Sequence, residues 1–143
     1  MYPRNRNAHY TTRVVTLWYR APELLLGFKN YNFGVDLWSL ACVFVELVTG
    51  KVLFRASKEA EACDLMFSLV GTPTEETMPG CTQQQYYKQL VMKKNQERVL
   101  VSHLKSEISK GHILKDVPEG VDPVTFLGQE WFDLVDNMLH LDP

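Results

Sequence analysis

The longest apolar stretch of the chain covers residues 35–50, with the sequence VDLWSLACVFVELVTG. Asp36 and Glu46 are its only charged residues, and apolar or small residues lie on every other side of the helix that it predicts. A helix that is hydrophobic all round is normally buried, and Gly50 is a favourable residue to end one. The stretch has about 14 to 16 residues, whereas a bilayer-spanning helix needs about 20. The pattern therefore predicts a buried core helix on which the flanking segments pack.

Further helices are predicted on both sides of this core helix. Pro22 fits the first turn of a short helix that Gly27 ends. Residues 58–70 and 95–110 show apolar side chains at helical spacing, and residues 130–141 predict a last helix. The apolar positions that define these helices are 62, 65, 66, 69 and 70, then Val99, Leu100, Leu104 and Ile108, then Trp131, Leu134, Val135, Met138 and Leu139. Residues 1–13, 74–94 and 111–125 show no period and are predicted to be irregular.

Composition indicates one domain with a modest core, because 45% of the 143 residues are hydrophobic and 22% are charged. The net charge of -2 gives no indication of a nucleic-acid or membrane partner. Residues 1–35 hold five basic residues and one acidic residue, a net charge of +4, and residues 36–143 hold ten basic and sixteen acidic residues, a net charge of -6. The positive first part suits a phosphate or an acidic partner, although a local excess of this size is also ordinary.

The three cysteines, Cys42, Cys63 and Cys81, are an odd number without C-x-x-C spacing. They are interpreted as reduced intracellular thiols, with Cys42 in the core. The polar N-terminus shows no signal peptide. These observations together predict a protein of the nucleus or cytoplasm.

Four runs of residues resemble landmarks of eukaryotic protein kinases in their usual order. They are YTTRVVTLWYRAPE at residues 10–23, VDLWSL at 35–40, GTP at 71–73 and MLHLDP at 138–143. The run TLWYRAPELLLG is most similar to the cyclin-dependent kinases of the CMGC group. The resemblance is strong over residues 10–80, good over 129–143 and weak over 81–128, where these kinases carry a variable insert. The length of the insert and the pair Lys93-Lys94 favour the transcriptional branch.

This resemblance implies a mainly α fold, a partial C-terminal lobe of a kinase domain without the N-terminal lobe. Residues 1–27 correspond to the activation segment and A-P-E triplet, and residues 28–80 to the core helix and the helix after it. Residues 81–128 correspond to the CMGC insert, and residues 129–143 to a last helix that is cut short. A partial lobe should expose the face of the core helix that packs on the missing parts, which favours association.

The kinase motifs that precede A-P-E are not found in this sequence. The eight glycines include no G-x-G pair, no histidine is followed by Arg-Asp, and no aspartate is followed by Phe-Gly. Phosphoryl transfer depends on those parts for positioning and charge neutralisation. We therefore predict that this chain alone neither binds ATP productively nor transfers phosphate, and that a longer parent kinase holds ATP and Mg²⁺. No residue of this chain is predicted to bind a cofactor or a metal.

Several positions have roles that the resemblance implies. Thr11 matches the phosphorylated residue of the activation loop in the full-length kinase, and its simpler interpretation is an exposed loop hydroxyl. Thr16 matches a threonine that supports the catalytic aspartate, and Asp36 matches the aspartate that anchors the catalytic loop. Each has a simpler interpretation: Thr16 could satisfy the backbone, and a carboxylate at the start of a helix is stabilised by its dipole by about 0.3–1 kcal/mol.

The wall that contacts the residue after the phosphoacceptor is implied at five positions, Val14, Val15, Leu17, Trp18 and Arg20. In proline-directed kinases this wall accepts proline, which has no N–H that needs a partner, so the implied substrates carry Ser/Thr-Pro. Trp18 could also be simply a core residue. Glu23 matches the A-P-E glutamate, whose arginine partner in the family would follow residue 143. A buried carboxylate without its partner is costly, by roughly 3–5 kcal/mol.

Two hypotheses remain open at this point. The first is a part of a cyclin-dependent Ser/Thr kinase, whose parent binds a cyclin and protein substrates. The second is a non-catalytic interaction module that binds a regulator through the helix at residues 58–70 or through the insert. Ala41 and Met78 stand where the family usually has glycine and tryptophan, and neither position carries the chemistry.

Overall fold

A computed structural model describes residues 17–91, 95–111, 114 and 116–141 of the chain. The helices of these ranges are α1 (Pro22–Leu26), α2 (Gly34–Thr49), α3 (Glu59–Val70), α4 (Tyr87–Leu90), α5 (Leu100–Lys110) and α6 (Pro123–Met138). Two 3₁₀ helices, Leu17–Tyr19 and Cys81–Gln83, join them. The described ranges contain no strand, which confirms the mainly α expectation. None of their helices combines the length and the apolar character that a membrane crossing requires.

Glycines end α1 and α2 as the sequence predicts. Gly27 and Gly50 adopt left-handed conformations with φ of 89° and 70°. Their N–H groups donate to the carbonyl oxygens of Glu23 at 3.1 Å and Glu46 at 2.8 Å. This conformation satisfies carbonyls at the end of the helix and is unfavourable for residues with a Cβ.

One face of α2 forms the centre of the core. It packs against the first 3₁₀ helix, α5 and α6, and the Trp38 ring stacks on Phe54 with centroids 5.8 Å apart. Cys42 lies in the same cluster, and burial raises the pKa of its thiol to about 12. All three cysteines are buried, and none forms a disulfide with a described residue. The prediction that Cys42 is a core residue is thus confirmed.

The opposite face of α2 is apolar and exposed. Four side chains line it, and we call them the exposed stripe: Leu37 is 48% exposed, Leu40 44%, Val43 39% and Leu47 61%. Residues three or four apart lie on the same side of a helix, so the set is continuous. The prediction of burial on every side is therefore wrong for this face, because no described segment packs on it. An exposed apolar face of this helix is what a partial lobe was expected to show.

The apolar faces of α3 and α6 also differ from the predicted ones. In α3, Leu65 is 36% exposed, whereas Cys63 and Phe67 are fully buried. In α6, Leu134 is 49% exposed and Phe132 is buried. Helical spacing gives the period but not the direction of the neighbours, and α3 contacts α1, α4, α5 and the first 3₁₀ helix. The side on which these neighbours lie decides which apolar residues are covered.

Residues 95–99 form an extended segment rather than the first turn of α5. Thr72 N donates to Gln96 O at 2.9 Å, and Val99 N donates to Leu69 O at 2.8 Å. The Thr72 hydroxyl accepts from Gln96 N at 2.9 Å. Because these backbone groups are bound to the end of α3, the helix begins only at Leu100. The predicted start at residue 95 is wrong for this reason.

Arg98 joins the ends of three helices from this extended segment. Its guanidinium donates to Asp136 Oδ1 at 2.8 and 3.1 Å and to Asp136 O at 2.7 Å. It also donates to Leu139 O at 3.1 Å and Val70 O at 3.4 Å. A cation at the C-terminal end of a helix satisfies its last carbonyl groups and favours its dipole. Arg98 therefore stabilises the ends of α3 and α6 beside the start of α5.

Two predicted irregular regions contain helical turns. Residues 74–94 include the second 3₁₀ helix and α4. The last helix begins at Pro123, earlier than predicted, because the Asp122 side chain accepts a hydrogen bond from Thr125 N at 2.9 Å and caps it. Gly128 then interrupts α6 with φ of 76°. This break coincides with the predicted boundary between the insert and the last helix.

Candidate functional site

Trp18 is fixed to the loop between α2 and α3. Its indole N–H donates to Ala56 O at 2.8 Å. The Arg55 guanidinium carbon lies 5.7 Å from the centroid of the Trp18 ring, in the range of a cation–π contact. Trp18 is only half-buried, and it is not part of the hydrophobic core of the described residues. This placement differs from the simpler interpretation of Trp18 as a core residue.

Tyr19 fixes the same segment to α2. Its hydroxyl donates to Glu46 Oε2 at 2.7 Å, and its carbonyl accepts from the Ser39 hydroxyl at 2.8 Å. The hydrogen bond to the Glu46 carboxylate is the main cause that raises the pKa of Tyr19, and burial adds to it. Glu46, one of the two charged residues of the core helix, is thus used to hold this segment.

Arg20 fixes the segment to the start of α3. Its guanidinium lies 2.9 Å from Glu59 Oε1, and its side chain is 11% exposed while that of Glu59 is 53% exposed. The Arg20 N–H also donates to Leu17 O at 3.4 Å and closes the turn. Leu17 is half-buried at the edge of the core. The structure therefore brings three of the five predicted wall residues, Leu17, Trp18 and Arg20, onto one short segment, which we call the wall segment.

Four predicted site residues lie outside the described residues. These are the predicted phosphorylation site Thr11, the wall residues Val14 and Val15, and the supporting residue Thr16. Their assignments stay predictions.

Glu23 follows the wall segment in α1 and has no side-chain partner among the described residues. Burial raises the pKa of its carboxyl. Trp38 of the core also has an unsatisfied group, because its indole N–H is buried without an acceptor among the described residues. Buried polar groups are normally hydrogen-bonded. Neither the Glu23 carboxyl nor the Trp38 indole N–H therefore has a side-chain hydrogen-bond partner among the described residues.

Asp36 lies exposed in the first turn of α2. In this position the carboxylate is stabilised by the positive end of the helix dipole. Its exposure also leaves its oxygen atoms free to accept hydrogen bonds from another segment. Both interpretations of Asp36 remain compatible with the structure.

Comparison with known proteins identifies the family. The model of the protein kinase domain family matches residues 3–143. The chain belongs to the protein kinase family. It is 34% identical over 139 residues to cyclin-dependent kinase C-2 of Oryza sativa subsp. japonica. That match covers 97% of this chain and 23% of the rice protein.

A solved structure of a related kinase has a similar fold. The crystal structure of the yeast RNA Pol II CTD kinase CTDK-1 complex matches with a TM-score of 0.76 and 31% sequence identity. The match covers 96% of this chain and 40% of the yeast chain. The chain thus spans less than half of either relative. The resemblance to cyclin-dependent kinases and the partial C-terminal lobe are both confirmed.

In this kinase lobe, the residues that hold the wall segment were not found by sequence reasoning. Ser39, Glu46, Ala56 and Glu59 are 20 to 39 positions away from the residues that they contact. No local pattern predicts such pairs. The only available signal was that Glu46 is a single carboxylate in an otherwise apolar part of a helix, which requires a partner when buried.

The described residues contain no group of three or more His, Cys, Asp or Glu side chains placed to hold a metal ion. The sequence has no G-x-G pair, H-R-D or D-F-G. That ATP and Mg²⁺ are held by a longer parent kinase and not by this chain stays a prediction.

Proposed function

We propose that this chain forms the substrate-facing part of the C-terminal lobe in a proline-directed, cyclin-dependent Ser/Thr protein kinase. The observation that carries the proposal is the wall segment, which three separate contacts hold directly before the A-P-E triplet. A wall held from α2, α3 and their loop is rigid, and rigid positioning is a main source of specificity in phosphoryl transfer. The reaction would be transfer of the ATP γ-phosphate to Ser or Thr followed by Pro.

The predicted site residues would have three roles in this kinase. Leu17, Trp18 and Arg20, with Val14 and Val15, would contact the proline that follows the phosphoacceptor. Thr16 and Asp36 would support the catalytic loop, and phosphorylation of Thr11 would order the activation segment. This last change adds about -1.5 to -2 charge units that arginines can pair with.

The remaining parts of the reaction would come from segments that this sequence does not contain. ATP and Mg²⁺ would be held by those segments, and a cyclin would be the activating partner. A docking regulator would use α3 or residues 81–128. Such a kinase would act in the nucleus or cytoplasm. This chain alone would be inactive, because it has neither the phosphate-binding loop nor the catalytic aspartate.

A kinase assay with two matched peptides tests this proposal. The parent kinase with its cyclin should phosphorylate a Ser-Pro peptide at least about tenfold faster than the same peptide with Ser-Ala, a difference of about 1.4 kcal/mol. This chain alone should give no phosphate transfer above the blank. Equal rates on the two peptides would contradict proline direction, and transfer by the chain alone would contradict its assignment as an incomplete catalytic unit.

The exposed stripe favours a second candidate, a non-catalytic interaction module. Contiguous exposed apolar patches mark surfaces that bind another protein. The two candidates differ in the mass of the protein in its native cells. An antibody against residues 81–128 should detect a band at about twice the 16.5 kDa of this chain or more for the kinase, and a band near 16.5 kDa for the module.

A further inference from the structure

Two charged residues around the wall segment have side-chain partners. The Arg20 guanidinium is bound to Glu59, and the Glu46 carboxylate accepts from the Tyr19 hydroxyl. Arg55 belongs to the same corner, yet it forms no ion pair with a described residue. It is exposed, and its guanidinium carbon lies 5.7 Å from the centroid of the Trp18 ring.

The acidic side chains at the start of α3 make their short contacts with residues other than Arg55. Glu61 Oε2 accepts from the Ser57 N–H at 2.8 Å and from the Ser57 hydroxyl at 2.9 Å. These bonds, with a smaller contribution from Lys58, lower the pKa of the Glu61 carboxyl. Glu59 and Glu61 therefore direct their carboxylates to Arg20 and Ser57, and Arg55 has no carboxylate within ion-pair distance among the described residues.

The cation–π contact places this charge beside the ring of Trp18. The ring of Trp18 is held by its bond to Ala56 O, the residue that follows Arg55. A guanidinium on a held aromatic ring loses less conformational freedom on binding than a free side chain. It keeps its N–H donors available, and these match carboxylate and phosphate groups in geometry.

We infer that Arg55 is a specificity-determining residue that selects substrates with an anionic side chain, a carboxylate or a phosphate, close to the Ser/Thr-Pro site. The inference rests on the proposed function, because it requires that the substrate lies along Trp18. Arg55 does not take part in the transfer itself. Its contribution is an attraction to the substrate that adds to the contact with proline.

The test uses the parent kinase with its cyclin and a series of peptides with one Ser-Pro core. Each flanking position carries in turn Gln, Glu, phosphoserine or Lys. At one or two positions we expect kcat/KM to be about two- to fivefold higher for Glu than for Gln, the size of one exposed charge pair. Phosphoserine should act more strongly than Glu if phosphate is the preferred anion. The preference should weaken as salt is raised from 0.05 to about 0.5 M.

Variants of Arg55 then assign the preference to this side chain. Arg55→Gln should remove the preference for Glu, and Arg55→Glu should reverse it in favour of Lys. Both variants should keep the Ser-Pro preference over Ser-Ala. Arg55→Lys should keep part of the preference, because the charge remains. The control is Lys88→Gln, which removes one exposed positive charge on α4 and should leave the preference unchanged.

The outcomes separate this inference from the proposed function. If the parent phosphorylates Ser-Pro peptides but Arg55→Glu has the same peptide preference as the wild type, the inference is wrong and the proposed function stands. If no Ser-Pro peptide is phosphorylated, both are overturned. A loss of activity on all peptides in Arg55→Gln, with an unchanged ratio between Glu and Gln peptides, would show that Arg55 only stabilises Trp18.

Discussion

The two faces of helix α2 are both apolar, yet they have different surroundings. On one face, Trp38, Ala41 and Val45 are at most 2% exposed and pack against α5, α6 and the first 3₁₀ helix. On the other face, the residues of the exposed stripe are 39–61% exposed. Segments of this chain cover the packed face. The other face has the apolar composition of a core surface, but no described segment covers it. The comparison shows that apolar composition alone does not make a buried position.

The largest change in the free energy of unfolding is expected when substitutions on the two faces of α2 are compared. Trp38→Ala should lower the free energy of unfolding by about 3–5 kcal/mol, because it leaves a cavity in the packed core. Leu47→Ala should change it by less than about 0.5 kcal/mol, because that side chain is exposed. Urea denaturation of the purified chain measures both.

Val45→Ala serves as a second variant of the packed face in case Trp38→Ala does not fold, with an expected loss of about 1–3 kcal/mol. If Leu47→Ala costs as much as Val45→Ala, the exposed stripe is covered in solution, and the comparison between the two faces fails.

A smaller effect is expected at Glu23, which like the exposed stripe has no partner among the described residues. Glu23→Gln should raise the free energy of unfolding at pH 7 by about 1–3 kcal/mol, because it removes a partly buried charge that has no such partner. The pKa of Glu23 is raised from 4.5 in the folded state. The wild type therefore carries the cost above the folded-state pKa and loses it as the pH falls through that pKa.

The pH profile provides the control for this prediction. The difference between Glu23→Gln and the wild type should be largest near pH 7 and should vanish below about pH 4.5. A variant that is less stable than the wild type at pH 7 would show that Glu23 has a partner. In the parent kinase, where we propose an arginine partner, the same variant should be destabilising.

The smallest effect on stability, although not on association, is expected for the exposed stripe itself. The double variant Leu40→Lys and Leu47→Lys should leave the free energy of unfolding within about 0.5 kcal/mol. It should also reduce self-association of the chain, because it divides the apolar patch with charge. Light scattering over a range of concentrations gives the oligomeric state. A wild type that stays monomeric at all concentrations would contradict the prediction.

The sequence predicts well those features that depend on local chemistry. The ends of α1 and α2 follow from Gly27 and Gly50, whose conformations the structure confirms. The mainly α fold and the kinase family follow from motifs of ordered spacing. These features need no knowledge of which segments meet in space.

Features that depend on distant contacts were not predicted. The start of α5 is displaced because the backbone of residues 96–99 binds the end of α3. The sequence analysis also placed Leu134, and not Phe132, on the apolar face of the last helix. This error has the same origin, because only the neighbours of α6 decide which of its sides is covered. In the candidate site, the triplet Leu17, Trp18 and Arg20 was found by resemblance, but Glu46 and Glu59, which hold it, were not.

The bonds of Arg98 connect residues that are 28, 38 and 41 positions away in the chain. Each of these hydrogen bonds brings together two residues that are joined by a long stretch of chain. Ordering that stretch costs conformational entropy, which opposes formation of the bond. Contacts of large sequence separation slow folding for the same reason. We therefore expect the corner around Arg98 to close late in folding, after α3, α5 and α6 have approached one another.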